Sequence, residues 1–393
     1  MVCARRTPDF ADLIGSKRMR SRSQPLIAVD VGLLAGDAGG LKRYLRELLP
    51  LLIRLSTGRC QWLLYGRSRR DMPIELLGST DLREDKLPDD LGRVVSLFTT
   101  MPFWAWRDMP DIYWGPAHRL PIWLPSRTKK VVTVHDLCWL FAPETMRPVT
   151  RALDAYLMPR ALEKSRRVIA VSNATKEMLS RHFPECADKV VVVHEGVSPL
   201  PAPLTVEWVE RRGIRRPYLL FVGTTEPRKN LGRLLKAFAQ VIRDLQQPIG
   251  GIQTLQLVLV GAPGWGGRPV DAEISGLGLD AHVHVLGKVT DEELSTLYKH
   301  ALCLAMPSLY EGFGLPLVEA MAHGTPVLTS NVASMPEVAG ATGVLVNPLD
   351  VESIADGIKK VMACRVQKAQ LKALSATYTW QRAAEQTLIA LLN

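Results

Sequence analysis

The chain has 393 residues, room for two sizeable domains, and 47% of it is apolar, ample for buried cores. Its six cysteines, at 3, 60, 138, 186, 303 and 364, form no Cys-x-x-Cys pair and no zinc spacing, so they exclude a disulfide framework and read as reduced thiols of a cytoplasmic protein. No apolar run approaches the roughly 20 residues that span a bilayer, and the N-terminus lacks the apolar centre of a signal peptide.

The net charge is +10, and residues 1–70 hold fourteen Lys or Arg against five Asp or Glu, an excess of nine. Basic segments of this kind favour anionic membrane surfaces or nucleic acid; a solvated basic face and tail accounts for the excess equally well. Residues 1–24 carry Arg and Ser without apolar periodicity and are expected to be a flexible leader. The fold is expected to begin at Leu26-Ile-Ala-Val-Asp30, a buried strand. Gly36-Asp-Ala-Gly39-Gly40 then leads into Leu41, Tyr44, Leu45, Leu48, Leu49 and Leu52 at helical spacing, the strand, glycine turn and helix of a phosphate- or nucleotide-binding unit. Pro50 should kink or restart that helix.

Further apolar runs, read as strands, lie at 61–65, 94–98, 111–114, 131–134, 168–171 and 190–193, with helical stretches between several of them. Such alternation predicts a parallel sheet covered on both faces over 25–197. Residues 198–217, rich in Pro and Arg with a short amphipathic piece, read as a linker. A second series opens at 218–222 and repeats at 257–260, 283–286, 303–306, 327–329 and 344–346, giving a domain over 218–376. Thr290-Asp-Glu-Glu293 and Ser334-Met-Pro-Glu337 are capping-box patterns. The segment 377–393 holds one more amphipathic helix, so the fold class is α/β, two doubly wound halves facing each other across a cleft.

Four stretches could carry chemistry. In Pro307-Ser-Leu-Tyr-Glu311-Gly312-Phe313-Gly314-Leu315-Pro-Leu-Val-Glu319, one glutamate lies in a Gly-bounded loop and a second on the first turns of a helix. The glycines permit close backbone approach, and a helix start favours anions. Gly223-Thr-Thr-Glu-Pro-Arg228-Lys229-Asn230 follows the first strand of the second half and supplies a fork donor, a point charge and, with Asn230 as N-cap, helix amides for a phosphate. His135-Asp136 ends an apolar strand, where the pair reads either as structural or as a hydrogen-bonding partner of a sugar hydroxyl. Ser172 or Asn173 caps a helix, and the same turn could face a ligand. No Asp-x-Asp occurs, so the carboxylate pair that holds a divalent ion on a sugar diphosphate is missing, and no Walker, zinc-protease or serine-hydrolase motif is present.

Glu311 and Glu319 with seven residues between them, the Gly223…Arg228-Lys229-Asn230 block, Val171-Ser172, His135-Asp136-Leu137 and the Gly39-Gly40 turn appear in the order of the retaining glycosyltransferases of family 4, which the chain resembles over about 25–393. The resemblance implies the GT-B architecture, with the helix near Trp380 crossing back onto the first domain. It places Glu319 on the ribose hydroxyls of a nucleotide sugar, Glu311 and the amides of Gly312, Phe313, Gly314 and Leu315 on the donor sugar, and Arg228 and Lys229 on the diphosphate. Gly39, Gly40, Ser172 and Gly223 would line the donor site, and His135 would lie beside the donor sugar and acceptor hydroxyl. No cofactor and no metal is expected, since fixed cations can serve the leaving charge. Retention follows from the resemblance alone; Asp136 is a nucleophile candidate by location, against a front-face route in which the leaving phosphate takes the acceptor proton.

The stretches at 111–116, 133–137 and 330–338 look like bacterial mannose or rhamnose transferases of exopolysaccharide or O-antigen assembly. GDP-mannose is then the expected donor, with dTDP-rhamnose or a UDP-sugar as alternatives, and a polyprenyl-diphosphate-linked saccharide the expected acceptor. An anionic membrane surface would suit the basic end and Pro102-Phe-Trp104-Ala-Trp106-Arg107, on the cytoplasmic face of the inner membrane; both tryptophans could equally be core. A non-catalytic membrane- or nucleic-acid-binding module is the rival of another class, although no RNA or recognition-helix motif supports a nucleic-acid partner. A GT-B epimerase or phosphorylase is the rival enzyme.

Overall fold

Six short apolar runs of the first half and one polar segment, β3, come together as one all-parallel sheet: β1 (Leu26–Asp30), β2 (Gln61–Gly66), β3 (Asp81–Glu84), β4 (Ile112–Gly115), β5 (Lys129–Val134), β6 (Arg167–Ala170) and β7 (Val190–Val192), in the order β3-β2-β1-β4-β5-β6-β7. The second half forms another: β8 (Tyr218–Val222), β9 (Gln256–Val260), β10 (Val283–Gly287), β11 (Cys303–Met306), β12 (Val327–Ser330) and β13 (Val344–Val346), ordered β10-β9-β8-β11-β12-β13. The structure is a computed structural model that describes residues 24–35, 39–67, 72–73, 76, 80–85, 89–245, 248–265, 270–363 and 367–393. The expected leader, and Gly36 to Ala38 of the first glycine turn, lie outside the described residues except for Gln24.

The helices of the first half are α1 (Gly39–Leu55), α2 (Asp89–Phe98), α3 (Thr100–Asp108), α4 (Cys138–Phe141), α5 (Pro148–Lys164) and α6 (Asn173–His182). They are followed by α7 (Val206–Arg211), α8 (Leu231–Asp244), α9 (Val270–Gly276), α10 (Asp291–His300), α11 (Leu315–Ala322), α12 (Met335–Ala339), α13 (Val351–Ala363), α14 (Lys368–Ser375) and α15 (Trp380–Leu392). Central strands such as Leu26–Asp30 are buried at every position, because helices cover both faces. The stripe Tyr44, Leu45, Leu48, Leu49 and Leu52 seats α1 on the first sheet, and an apolar cluster continues from there through Trp380 and Leu388 of α15 into the second half. Trp380 sets its ring 6.0 Å from that of Tyr44, so α15 lies against α1 of the first half.

Two expected elements are corrected, and one strand was not foreseen from the sequence. Residues 94–98 are helical, the end of α2: Val94, Val95, Leu97 and Phe98 fit spacings of three and four as well as a strand, and a short apolar run does not distinguish the two. Pro50 does not restart α1, which runs unbroken from Gly39 to Leu55 because its buried stripe holds it on the sheet on both sides of the proline. Strand β3, Asp-Leu-Arg-Glu, has no apolar pattern and forms only as an edge strand beside β2. The Thr290 capping box is present in full, each side chain bonding the other's backbone N–H. Ser334 makes none: its hydroxyl donates to the carbonyls of Glu311 and Phe313.

Candidate active site

In both sheets the strand order reverses beside the first strand, at β1/β4 and at β8/β11. Ligands of open α/β sheets bind outside the carboxyl ends of strands at such points. The segments that leave these strands are the ones carrying Gly39-Gly40, Gly223 to Lys229, and Glu311.

After β8 the chain makes a 3-10 turn at Pro227–Lys229. Asn230 takes the expected N-cap position of α8 but makes no side-chain capping bond: it adopts a left-handed φ of 59°, and its side-chain amide donates to the carbonyls of Pro307 (2.8 Å) and Pro348 (2.7 Å). That buried amide pins the turn onto the segment after β11, and the Leu309 N–H bonds to the Arg228 carbonyl at 2.8 Å. The result aims both cations at one carboxylate. Arg228 Nη1 donates to Glu311 Oε2 at 2.5 Å and to the Tyr310 carbonyl at 3.0 Å; Lys229 Nζ reaches Glu311 Oε1 at 2.7 Å. Burial opposes ionisation of Glu311, yet Arg228 and Lys229 outweigh it and bring its pKa down to about 2. The carboxylate is therefore charged and its two oxygens each hold a different cation.

Glu319 is the fifth residue of α11, whose N-cap is Gly314 at a φ of 102°, a backbone position that favours glycine. It is as deeply buried as Glu311 but differently held. Tyr298 donates to Oε2 at 2.8 Å, and Arg43 of α1 reaches across from the first half to Oε1. Here burial wins: it raises the Glu319 pKa, with Arg43 and Tyr298 opposing.

The two halves meet closely at this place. A Cβ on Gly312 would sit 1.6 Å from the His135 carbonyl oxygen, so any other residue would push the halves apart. A Cβ on Gly40 would lie 4.0 Å from Leu315 Cδ1, which sets the first glycine turn against the Gly312–Leu315 loop. Phe313 packs edge-on to Tyr378, ring centroids 5.4 Å apart. Glu337 forms the second bridge. Its carboxylate accepts from the Asn173 N–H (3.0 Å) and the Ala174 N–H (3.1 Å) at the start of α6, and His194 Nε2 lies 2.6 Å away. Burial opposes the charge on Glu337, but His194 and the two amides hold its pKa below the usual value.

On the first-half side, His135 is buried with both ring nitrogens engaged. Nε2 donates to the Pro116 carbonyl at 2.8 Å, since a carbonyl oxygen only accepts, and Nδ1 meets Glu195 Oε1 at 3.0 Å. Tyr44 stands edge-on to the imidazole at 4.6 Å between centroids. The Ser172 hydroxyl caps α6, accepting from the Thr175 N–H, and it donates to Thr175 Oγ1. Asp136 Oδ1 accepts from the Cys138 N–H at 3.0 Å. Gly223 lies beside Lys229, whose Cε would be 3.4 Å from an added Cβ. The sequence-predicted site residues thus gather from both halves, with His135, Gly40, Gly312, Arg228, Lys229 and Glu311 at the meeting point.

Sequence reasoning did not single out Arg43, Glu195, Tyr298 or His118, and it read Glu337 only as part of a capping box. Glu195 lies three residues beyond the end of β7, at a carboxyl end, which was a usable signal. His118 adopts a left-handed φ of 60°, and burial pushes its pKa down to about 4. Its ring lies 5.4 Å from that of His135, and its Nδ1 has no partner among the described residues.

A carboxylate clamped by two cations at paired switch points, with a second carboxylate on the adjacent helix, suits a ligand that carries both hydroxyls and phosphates. Residues 38–199 match the family model for Glycosyltransferase Family 4, and residues 207–377 match that for Glycosyl transferases group 1. The chain belongs to glycosyltransferase family 4. The enzyme is 28% identical to O-antigen chain mannosyltransferase B of Escherichia coli over 89% of this chain and 95% of that one. It is 26% identical to the O-antigen chain mannosyltransferase RfbU of Salmonella typhimurium over 61% of this chain and 62% of that protein. Among solved structures, sucrose-phosphate synthase from Thermosynechococcus elongatus superposes with a TM-score of 0.71 at 22% identity, covering 93% of this chain and 97% of that one. The architecture is GT-B. No helix of the described residues is long and apolar enough to cross a membrane.

Proposed function

We propose that this glycosyltransferase moves mannose from GDP-mannose, with retention of anomeric configuration, onto a saccharide carried on polyprenyl diphosphate at the inner face of the membrane. The observation that carries the reading is the Arg228–Glu311–Lys229 cluster. When the donor enters, the Glu311 carboxylate accepts hydroxyls of the sugar, and the two cations turn to the diphosphate. The anomeric C–O bond to phosphate then breaks while the acceptor oxygen bonds the same face, and the acceptor proton passes to the departing phosphate oxygen. Oxocarbenium character builds on the sugar and negative charge on the leaving group. Fixed cations meet that charge, a contribution of the kind whose removal costs about 2.7–4 kcal/mol of barrier. A divalent ion is not needed for this step.

His135 fits a fixed wall beside the sugar better than a base, because Pro116 and Glu195 occupy both of its nitrogens. The choice of mannose is supported by what the relatives' names state of those proteins. The test is incubation with a panel of radiolabelled nucleotide sugars plus membrane lipid extract. Label from GDP-mannose should enter the lipid fraction; label entering only from dTDP-rhamnose or a UDP-sugar would replace the donor, and free sugar released without acceptor would make the enzyme an epimerase or hydrolase.

A further inference from the structure

One groove in the first half touches none of the residues assigned to the donor. It encloses about 600 Å³ between α3, the loop that follows β4, and α5. Its floor is aliphatic, from Leu120, Ile122 and Leu124, and its rim carries the aromatic rings of Trp106, Trp123 and Tyr156. Those three rings are exposed, Trp123 by 65%. Exposed Phe103 and Arg107 share the outward stripe of α3 with Trp106, at positions i, i+3 and i+4. A monomer rarely leaves so many large apolar side chains together without using them.

The charge of the groove has one sign. Lys130, Arg160 and Lys164 line it, and no carboxylate does so among the described residues. Arg160 lies over the Tyr156 ring at 3.7 Å. Lys130 Nζ donates to the carbonyls of Pro125 and Thr128. Burial lowers the Lys130 pKa, and the nearby Lys164 charge lowers it further, so an anion beside them would relieve their repulsion. Aromatic rings favour the level of lipid headgroups, cations the phosphates, and an aliphatic floor the upper acyl chains. Bases and sugars would leave that aliphatic floor unused.

We infer that this groove is the surface by which the enzyme rests on a bilayer of anionic phospholipid. The same loop joins it to the site: Leu120 lies two residues beyond His118, whose ring neighbours that of His135. Docking here would hold the first half against the surface from which a lipid-carried acceptor comes. The inference leans on the proposed acceptor for its purpose only; binding is measured without donor or acceptor, so either idea can fail alone.

The experiment is flotation of the full chain with phosphatidylcholine vesicles, with and without phosphatidylglycerol. Wild type should float with the anionic vesicles at low salt and be released as the Debye length shrinks. The double variant Arg160→Glu/Lys164→Glu should bind at least about tenfold more weakly, and Trp123→Ala should lose blue-shifted tryptophan emission on the vesicles. The control Arg46→Glu/Arg54→Glu, on exposed positions of α1, should bind as wild type. Equal binding to neutral vesicles, loss only in the α1 variant, or retention of vesicle binding in a groove variant that has instead lost a duplex gel shift would each overturn the inference. Unchanged thermal melts of all variants exclude misfolding, since every substituted side chain is wholly or partly at the surface.

Discussion

Glu311 and Glu319 are both deeply buried carboxylates with a guanidinium beside them, yet their surroundings oppose each other. Glu311 is held by two cations of its own half, Arg228 and Lys229, on a turn pinned by Asn230. Glu319 is held by a tyrosine of its own half and by Arg43 from the other, so part of its partnership depends on how the halves stand. Two cations overcome burial and keep Glu311 ionised down to about pH 2; one partly exposed guanidinium does not, and the Glu319 pKa rises. Similar carboxylates eight residues apart therefore have different tasks. The first belongs to a preorganised charge cluster, the second to a joint between halves that a ligand could exchange.

The largest expected effect is on the cluster. Lys229→Ala and Glu311→Ala should each lower kcat/KM by about a hundredfold or more while the chain remains folded, in line with the loss of one fixed stabilising group at a developing charge. Initial rates with labelled donor, set beside circular-dichroism melts, check this; wild-type turnover in either folded variant would remove the cluster from the mechanism. Gly312→Ala comes next. Its Cβ cannot coexist with the His135 carbonyl at 1.6 Å, so the halves must separate and activity should fall about tenfold, with an increased radius of gyration in small-angle scattering. A fully active Gly312→Ala enzyme with unchanged scattering would mean that the closed contact is dispensable.

The two carboxylates should also differ in sign when stability is followed against pH. Glu311 has a folded pKa near 2 against an ordinary 4.5, so its contribution is fully present above about pH 4.5 and disappears as pH falls toward 2. That shift corresponds to on the order of 3 kcal/mol, which Glu311→Gln should remove at pH 7. Glu319 is shifted upward, so its charge works against folding at neutral pH and protonation relieves it. Glu319→Gln should accordingly leave the pH 7 melting temperature unchanged or slightly higher. Equal losses in the two variants would erase the distinction.

Much of this was legible along the chain and some was not, for a physical reason. Each buried central strand, including β1, β5, β8 and β11, announces itself as a short apolar run, and the carboxyl-end rule then places Arg228, Lys229 and Glu311 together. The contacts that sequence reading missed join distant parts of the chain. Arg43 and Glu319 are 276 residues apart, and Glu337 finds the α6 amides 164 and 163 residues away. Local rules also misread side chains taken up by tertiary partners: Asn230 and Ser334 stand where caps are expected, but backbone carbonyls of neighbouring segments claim them. The nature of the fold is written locally, and the closing of its two halves is not.

The smallest expected effect concerns Arg43 itself, and it decides what the joint is for. If the ribose of the donor takes Glu319, as the resemblance implies, Arg43 must let go when the nucleotide binds. Arg43→Met keeps an unbranched apolar stem in place of the arginine methylenes, leaves Glu319 with Tyr298 alone, and removes the competitor. The KM for the donor should then change by no more than about fivefold, with kcat nearly unchanged, because a partly exposed ion pair contributes only about 1 kcal/mol. The companion Glu319→Gln should raise the donor KM more than Arg43→Met does, since it weakens the hydroxyl acceptor rather than its competitor. A kcat loss in Arg43→Met as deep as that of Lys229→Ala would instead place the guanidinium on the reacting phosphates. The first half would then contribute a cation to catalysis, and the contrast between a charged cluster in one half and an exchangeable joint between the two would fall.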